Sequence, residues 1–310
     1  MEIQAKSEEK FKIIRQMTLR DNNLLNISWL CEYAGVSRSG YYNWIASEES
    51  RRKKQEQDKI DFEVVLSAYQ YRGYAKGKRG IYMRLLNMGI RMNQKKISRL
   101  MKQFNLRCPI RKANPYRRMA KALKTNNVAE NLVNREFKHH GPRMVLLTDI
   151  TYILYGNAQK AYLSTIMDAF TKQILAYVVS DSLEVDFVLE TVNILIHDHG
   201  VSLSKETFIH SDQGCHYTSI KFQELVQKKE LRQSMSRRGN CWDNAPQESF
   251  FGHMKDEIHL ERCNTFEELK REIYDYMDYY NNDRYQWDLA KLSPNQYAAY
   301  IETGEYPIKV

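Results

Sequence analysis

Cysteine is scarce and poorly spaced for metal binding or cross-linking. The five residues Cys31, Cys108, Cys215, Cys241 and Cys263 are odd in number, scattered, and contain no C-x-x-C pair. That pattern argues against a disulfide framework and against a zinc site. His139-His140 and His197-x-His199 have no cysteine at ligand spacing and read as ordinary surface or core histidines. Long apolar runs are missing as well. The longest, such as Ile174 to Val179, are strand-sized, well short of the ~18 residues of a membrane helix. Met1 to Arg20 is charged throughout, unlike a signal peptide, so the expected location is the cytoplasm. There is no internal repeat, no low-complexity tract and no sustained heptad pattern.

What is present is a basic chain with an uneven distribution of charge. Over 310 residues there are 47 Lys+Arg and 38 Asp+Glu, a net charge of +9. The length suggests about two or three domains. A hydrophobic content of 43% suffices for a packed core and excludes wholesale disorder. Residues 1–140 hold 30 basic and 13 acidic residues, net +17, whereas residues 141–310 are net −8. The segment 51–124 alone has 22 basic and 4 acidic residues. A basic half joined to an acidic half points to a polyanion-binding region tethered to a different activity. The plainer alternative is a merely soluble basic surface.

Residues 26–46 read as two short helices. Trp29, Leu30, Cys31 and Ala34 give the first an apolar side, Gly35-Val36 forms a turn, and Ser37 caps a second helix through Tyr41, Tyr42, Trp44 and Ile45. This is a helix-turn-helix outline, although small helical hairpins often only pack. Arg51-Arg52-Lys53-Lys54 reads as a charged connector. A second helical unit is expected from Ile60 to Leu106: Ile60, Val64, Val65 and Ala68 mark one helix, and Ile81, Leu85 and Leu86 another. Gly89 breaks it, Asn93 caps the next, and Ile97, Leu100, Met101 and Phe104 stripe the last. The outer face of that last helix carries Lys95, Lys96, Arg99 and Lys102, suited to phosphates or simply to solvent. Residues 107–135 read as a basic linker.

From Met144 the pattern changes to strands at Met144 to Ile153, Ala161 to Ile166 and Ile174 to Val179, the last two joined through Asp168 to Lys172. A helix is expected over 185–197, a strand over 207–210, a helix over 220–229 and a strand over 231–235. Asn244-Ala245-Pro246 starts a longer helix, Phe266 to Tyr280 a further one, and Ser293-Pro294 a last short one. The expectation is a mixed α/β sheet with flanking helices.

Three carboxylates stand where that structure least explains them. Asp149 interrupts the apolar run Val145-Leu146-Leu147-Thr148-Asp149-Ile150, where a charge is costly unless paired or bound to a cation. Asp212 follows the end of a short strand, a common ligand position in open sheets. Glu248 lies in the first turn of a helix. At about 100° per residue, Gly252, Lys255 and His259 share the face of Glu248, while Phe250, Phe251, Met254 and Ile258 form a separate apolar stripe. Gly252 leaves room for a ligand backbone, and Lys255 can contact a phosphate. Three carboxylates from separate elements suit Mg²⁺ or Mn²⁺, and a two-ion site performs phosphodiester chemistry. Taken singly, each acid has a structural alternative: Asp149 paired with an arginine, Asp212 capping a turn, Glu248 favoured by the helix dipole. Asp168, Asp181 and Asp243 read as turn or cap residues.

The 35 residues between Asp212 and Glu248, with Asp149 upstream and Lys255 downstream, resemble the D, D, 35-spaced E signature of retroviral integrases and insertion-sequence transposases. More specifically, His210-Ser211-Asp212-Gln213-Gly214 and Ser236 to Phe251 (SRRGNCWDNAPQESFF) resemble transposases of the insertion-sequence family numbered three. So do Tyr279-Tyr280-Asn281-Asn282, Leu292-Ser293-Pro294, and Arg79-Gly80-Ile81 with Asn93 and Leu100. Tyr74-Ala75-Lys76-Gly77 departs from the family's wording. The resemblance covers about residues 25–300.

The resemblance implies a ribonuclease-H-like fold preceded by an all-α helix-turn-helix region. The domains expected are 1–50, helix-turn-helix-like; 51–106, basic helix-turn-helix; 107–138, linker; 139–300, integrase core; and 301–310, tail. It implies Asp149, Asp212 and Glu248 as catalytic residues holding two Mg²⁺ or Mn²⁺ ions. Lys255, His210 and Asn244 are implied to position DNA at the site, and the basic segment with Lys95, Lys96, Arg99 and Lys102 to bind terminal inverted repeats. The resemblance further implies that water would cleave at an element end and that the freed 3′-hydroxyl would attack a second phosphodiester. In this family the active protein is often a fusion of two frames. Without heptads the chain looks like the downstream, OrfB-type product, with an upstream OrfA-type partner or fusion and a homo-oligomer expected. The implied setting is a bacterial cytoplasm, on the nucleoid when acting. Two other readings remain at this stage: a DNA-binding regulator whose α/β half is a scaffold, and a ribonuclease H.

Overall fold

The computed structural model describes residues 6–20, 25–74, 76–108, 140–236 and 244–308. All of the expected linker beyond Cys108, and the stretch 237–243 with Asp243, lie outside the described residues. The chain divides into two compact units, Met1–Val64 and Val65–Val310.

The first unit contains α1 (Ser7–Thr18), α2 (Ile27–Tyr33), α3 (Arg38–Ala46) and the start of α4 (Glu48–Gln70). Asn26 and Ser37 cap α2 and α3, accepting from Trp29 N at 2.8 Å and Gly40 N at 3.1 Å. Between them Gly35 takes a positive φ of 64°, which glycine adopts without steric penalty. Ile14, Leu30, Cys31 and Tyr41 form the small core. Trp29 is not part of it: its ring is exposed and stacks on Tyr33. The charged connector expected at Arg51 to Lys54 is instead the interior of α4. No glycine or proline interrupts residues 48–70, and the charges are arranged as i,i+4 pairs, Lys53 with Glu49 at 2.9 Å and Arg52 with Glu56 at 3.8 Å. Such pairs support a helix rather than break it. Ile60, expected inside, is 61% exposed, while Val65 and Ala68 carry the buried stripe.

In the second unit a helical hairpin, α5 (Lys78–Asn87) and α6 (Gln94–Gln103), precedes the sheet. Gly89 turns with φ 73°, and Asn93 Oδ1 accepts from Lys95 N at 2.8 Å. Ile81, Leu85, Ile97 and Leu100 are fully buried. The sheet comprises β1 (Val145–Tyr155), β2 (Gln159–Asp168), β3 (Ile174–Ser180), β4 (Phe208–Ser211) and β5 (Arg232–Met235), in the order β3-β2-β1-β4-β5. The first three strands are antiparallel, and β4 and β5 run parallel to β1. This is the mixed five-stranded ribonuclease-H-like arrangement. The β2–β3 corner rests on Asp168, whose carboxylate accepts from Arg143 N, Phe170 N, Thr171 N and Thr171 Oγ1.

Helices α7 (Asp186–His199) and α8 (Ile220–Lys228) cover one face of the sheet, and α9 (Ala245–Glu257) and α10 (Phe266–Asn282) the other. On the first face Leu146, Ile166 and Ile209 meet Val188, Val192, Leu195 and Phe222. On the second, Ile153, Leu163 and Met167 meet Phe250, Met254, Ile273 and Tyr276. Burial on both faces explains the unbroken apolar run at the start of β1. Each such side chain contributes about 1.5–3 kcal/mol. The last helix, α11 (Pro294–Thr303), begins with a capping box between Ser293 and Gln296.

The α5–α6 hairpin is fastened to α10 and α11 within this unit. Asp283, at the end of α10, receives Arg72 Nη2 at 3.0 Å, Arg84 Nη1 at 3.7 Å and the Tyr71 hydroxyl at 3.2 Å. Tyr74 packs against Tyr276 and Tyr279, and Gln296 donates to Asn87 Oδ1. Among the described residues no helix is long and apolar enough to cross a membrane.

Candidate active site

The pairing register sets the site. Leu147 is opposite His210 in the parallel β1–β4 pair. Continuing that register by two residues brings Asp149 and Asp212 to the same end of the β1–β4 pair and, because side-chain direction repeats every two residues, toward the same face. Asp212 lies one residue past β4, where its Oδ1 accepts from Gly214 N at 2.9 Å. It thus combines the expected strand-end position with turn capping. Glu248 is in the first turn of α9.

Asp212 and Glu248 both act electrostatically on Asp149. Burial, and then the Asp212 charge, push the Asp149 carboxyl up to about 8; Glu248 adds to the rise, while the Ile150 N–H and Lys255 oppose it. Among the described residues no arginine pairs with Asp149, and the cation acting on it is Lys255. Its Nζ donates to Thr151 Oγ1 at 2.6 Å, on the same face of β1 as Asp149. Burial lowers the Lys255 pKa, with Asp149 opposing that shift. Beneath them, burial and the Asp149 charge hold the Tyr217 hydroxyl well above its usual range, and it lies 3.3 Å from Thr148 Oγ1.

Side chains that the sequence reading did not single out fix α9 over the strand. Gln247, fully buried, hydrogen-bonds Thr165 Oγ1, and Thr165 is the β2 partner of Asp149. A glutamine beside the acidic motif gives no sequence signal for this. At its far end α9 is held by Glu257, which takes two hydrogen bonds from Arg284 Nε and one from Nη2 at 2.8–3.1 Å. The expected apolar face is confirmed, with Phe250, Phe251, Met254 and Ile258 buried. Gly252 is open, with no atom within 4 Å of where a Cβ would stand.

Three expectations need correction. His259 does not share the face of Glu248, because α9 ends at Glu257 and Ile258 is extended at φ −90°, ψ 157°. His210 is fully buried, its Nδ1 2.9 Å from Ser234 Oγ in the β4–β5 pair, and has no surface to offer DNA. Asn244 is 4% exposed and donates to Thr148 O at 3.4 Å, so it ties α9 to β1 instead of meeting a ligand. His210→Ala is accordingly expected to lower the melting temperature by several degrees, since leaving a buried partner unsatisfied costs about 1–3 kcal/mol. End-DNA affinity of the folded variant should stay within about twofold by fluorescence anisotropy; a selective loss of binding would return His210 to the DNA surface. On α6, Lys95, Arg99 and Lys102 are exposed and Lys96 is partly so.

Among the described residues no group of three or more His, Cys, Asp or Glu side chains stands where it could hold a metal ion. The chemistry of the three acids nevertheless suits a hard cation: all the donor atoms are carboxylate oxygens, and burial first, then the Asp212 and Glu248 charges, disfavour an ionised Asp149 that has no cation beside it.

Residues 139–241 and 248–299 match the integrase core domain, and residues 55–114 match an HTH-like domain. The chain is 31% identical over 267 residues to the insertion element IS600 uncharacterized 31 kDa protein of Shigella sonnei, covering 86% of this chain and 96% of that one. It is 27% identical over 276 residues to the transposase InsF for insertion sequence IS3A of Escherichia coli (strain K12), covering 88% and 93%. The chain belongs to the IS3 family of insertion-sequence transposases. As an IS3-family member it is a DNA transposase of the DDE type, and the regulator reading is not favoured. The HTLV-2 integrase catalytic core domain in complex with magnesium is similar with a TM-score of 0.38 and 17% identity, over 50% of this chain and 95% of that one.

Proposed function

We propose that Asp149, Asp212 and Glu248 are the three acids of the transposase reaction, and that together they hold two Mg²⁺ or Mn²⁺ ions. The observation that carries this reading is the placement of Asp149 within β1, Asp212 one residue past β4 and Glu248 in the first turn of α9, with burial and then the charges of Asp212 and Glu248 raising the Asp149 carboxyl. Bound there, the ions would activate the attacking oxygen and stabilise the leaving oxygen of a phosphodiester. Asp149 on β1 and Asp212 just past the end of β4 form one wall of the site. Glu248 completes it from a helix anchored through Gln247 and Asn244. Lys255 stands on the same helix and exchanges Thr151 for a phosphate oxygen when DNA arrives. Water at this site frees a 3′-hydroxyl at an element end, and that hydroxyl attacks a second phosphodiester in line.

Lys95, Lys96, Arg99 and Lys102 on α6 grip the backbone of the terminal inverted repeats. Joining two ends calls for more than one copy of the chain, so the working form is a homo-oligomer, with an upstream-frame OrfA-type product as partner or fusion. The protein works in the cytoplasm, where the DNA is. The test is cleavage of a labelled terminal-repeat duplex. Nicked product should form with Mg²⁺ or Mn²⁺ and vanish in EDTA; equal nicking in EDTA sinks the metal-ion reading.

A further inference from the structure

The basic face of α6 does not look onto open solvent alone. It forms one wall of a groove of about 1250 Å³ whose other wall is the C-terminal part of the same unit. Six cations line it: Lys78, Arg91, Lys95, Arg99, Lys102 and Lys291, with no Asp or Glu among the described lining residues. On α6 the spacing i, i+4, i+7 sets three of them along one stripe about 10 Å long. Lys291 faces that stripe from the loop between α10 and α11.

This loop is built to hold Lys291 in place. Ala290 and Lys291 both adopt positive φ, 52° and 66°, a left-handed backbone that side chains other than glycine's adopt only at a cost. Such strain persists where the surroundings over-determine it, and it gathers at ligand clamps. Here Lys291 N donates to Gln286 O at 3.1 Å and the Tyr306 hydroxyl donates to Ala290 O at 2.8 Å. The Lys291 ammonium lies 5.3 Å from the centroid of the exposed Trp287 ring and 5.9 Å from that of Tyr82 on α5. The aromatic pair spans the hairpin and the loop, with centroids 6.3 Å apart.

We propose that the sugar-phosphate backbone of the DNA is gripped between α6 and the 286–291 loop, with Lys291 a phosphate contact supplied from the loop between α10 and α11. The inference rests on the reading of α6 as a DNA-binding face and extends it to a second wall. Because α5 is fastened to the end of α10 through Arg84 and Asp283, one groove then registers the DNA against the sheet that carries Asp149.

The test is a salt titration of full-length protein binding a fluorescein-labelled 30-base-pair duplex of random sequence. A phosphate contact contributes about one unit to the slope of log affinity against log salt. Lys291→Gly keeps the left-handed backbone available and should fold as well as wild type, yet lose about one unit of slope and about three- to tenfold in affinity at low salt. Lys291→Arg should restore both. Lys205→Ala, at an exposed lysine paired with Glu230, controls for general loss of charge and should change neither. A folded Lys291→Gly protein with wild-type slope, alongside an Arg99→Ala protein with reduced slope, overturns the two-walled groove alone. An unchanged slope in Arg99→Ala as well removes the α6 reading beneath it.

Discussion

Asp149→Asn is expected to lower nicking and strand transfer at least about a thousandfold, equivalent to roughly 4 kcal/mol of transition-state stabilisation, while end-DNA affinity stays within about threefold. The same substitution should make the metal-free protein more stable at neutral pH and above. Asp149 has its carboxyl raised from 3.8 to about 8, by burial first and then by Asp212 and Glu248. An acid whose folded proton affinity is raised weakens the fold progressively above its unfolded value. Between about pH 4 and 8 the unfolded chain has released a proton that the native state retains, and stability falls by at most about 1.4 kcal/mol per pH unit. In EDTA the wild-type melting temperature should therefore decline from pH 5 to pH 8, and Asp149→Asn should flatten that decline. Adding Mg²⁺ should raise the wild-type melting temperature most at the alkaline end, since a ligand for the native ionised site stabilises it. The asparagine variant should gain little. Normal strand transfer by Asp149→Asn, or a pH profile of melting that parallels wild type, removes Asp149 from the centre of the site.

How much of this was legible in the residues depended on the scale of the signal. The strands were readable because burial on both faces leaves long apolar runs, and Asp149 was conspicuous because it breaks one. Ser37, Asn93 and Ser293 announced helix starts through their side-chain chemistry, and each does accept the hydrogen bond expected of a cap. Charge alone misled at Arg51 to Lys54: a run of cations without glycine or proline is as good a helix as a connector, and its glutamates four residues away settle the matter. A helical wheel placed His259 beside Glu248 because the wheel carries no information about where a helix stops. His210 and Asn244 stand next to the acidic motif in sequence, but register turns His210 toward Ser234 and packing closes over Asn244. The supports of the site, Gln247 with Thr165 and Glu257 with Arg284, are pairings between residues 27 or more positions apart, and no local pattern encodes them.

The second large effect is expected at that last pair. Glu257 closes α9 and is 5% exposed, and Arg284 opposite it is 15% exposed. The fully buried Tyr276 donates its hydroxyl to Glu257 Oε2 at 3.0 Å. Glu257→Ala leaves the guanidinium without its charge partner and the phenol without its acceptor, which should cost about 3–5 kcal/mol. In a unit of this size that corresponds to a melting temperature lower by roughly 10 °C. Replacing both partners, Glu257→Leu with Arg284→Met, should recover most of the loss, because removing an ion pair whole avoids stranding either charge. Activity should not recover to the same degree. Glu248 stands nine residues before Glu257, about 13 Å along the same helix, and Arg284 follows Asp283, the residue that receives Arg72 and Arg84. An apolar pair restores burial without the directional bonds that set the tilt of α9. At a temperature where all variants are folded, the double variant should therefore nick a terminal-repeat duplex about tenfold more slowly than wild type, with DNA binding unchanged. A double variant with wild-type nicking would reduce the Glu257–Arg284 pair to a matter of stability alone, and a Glu257→Ala melting temperature within 1 °C of wild type would remove even that.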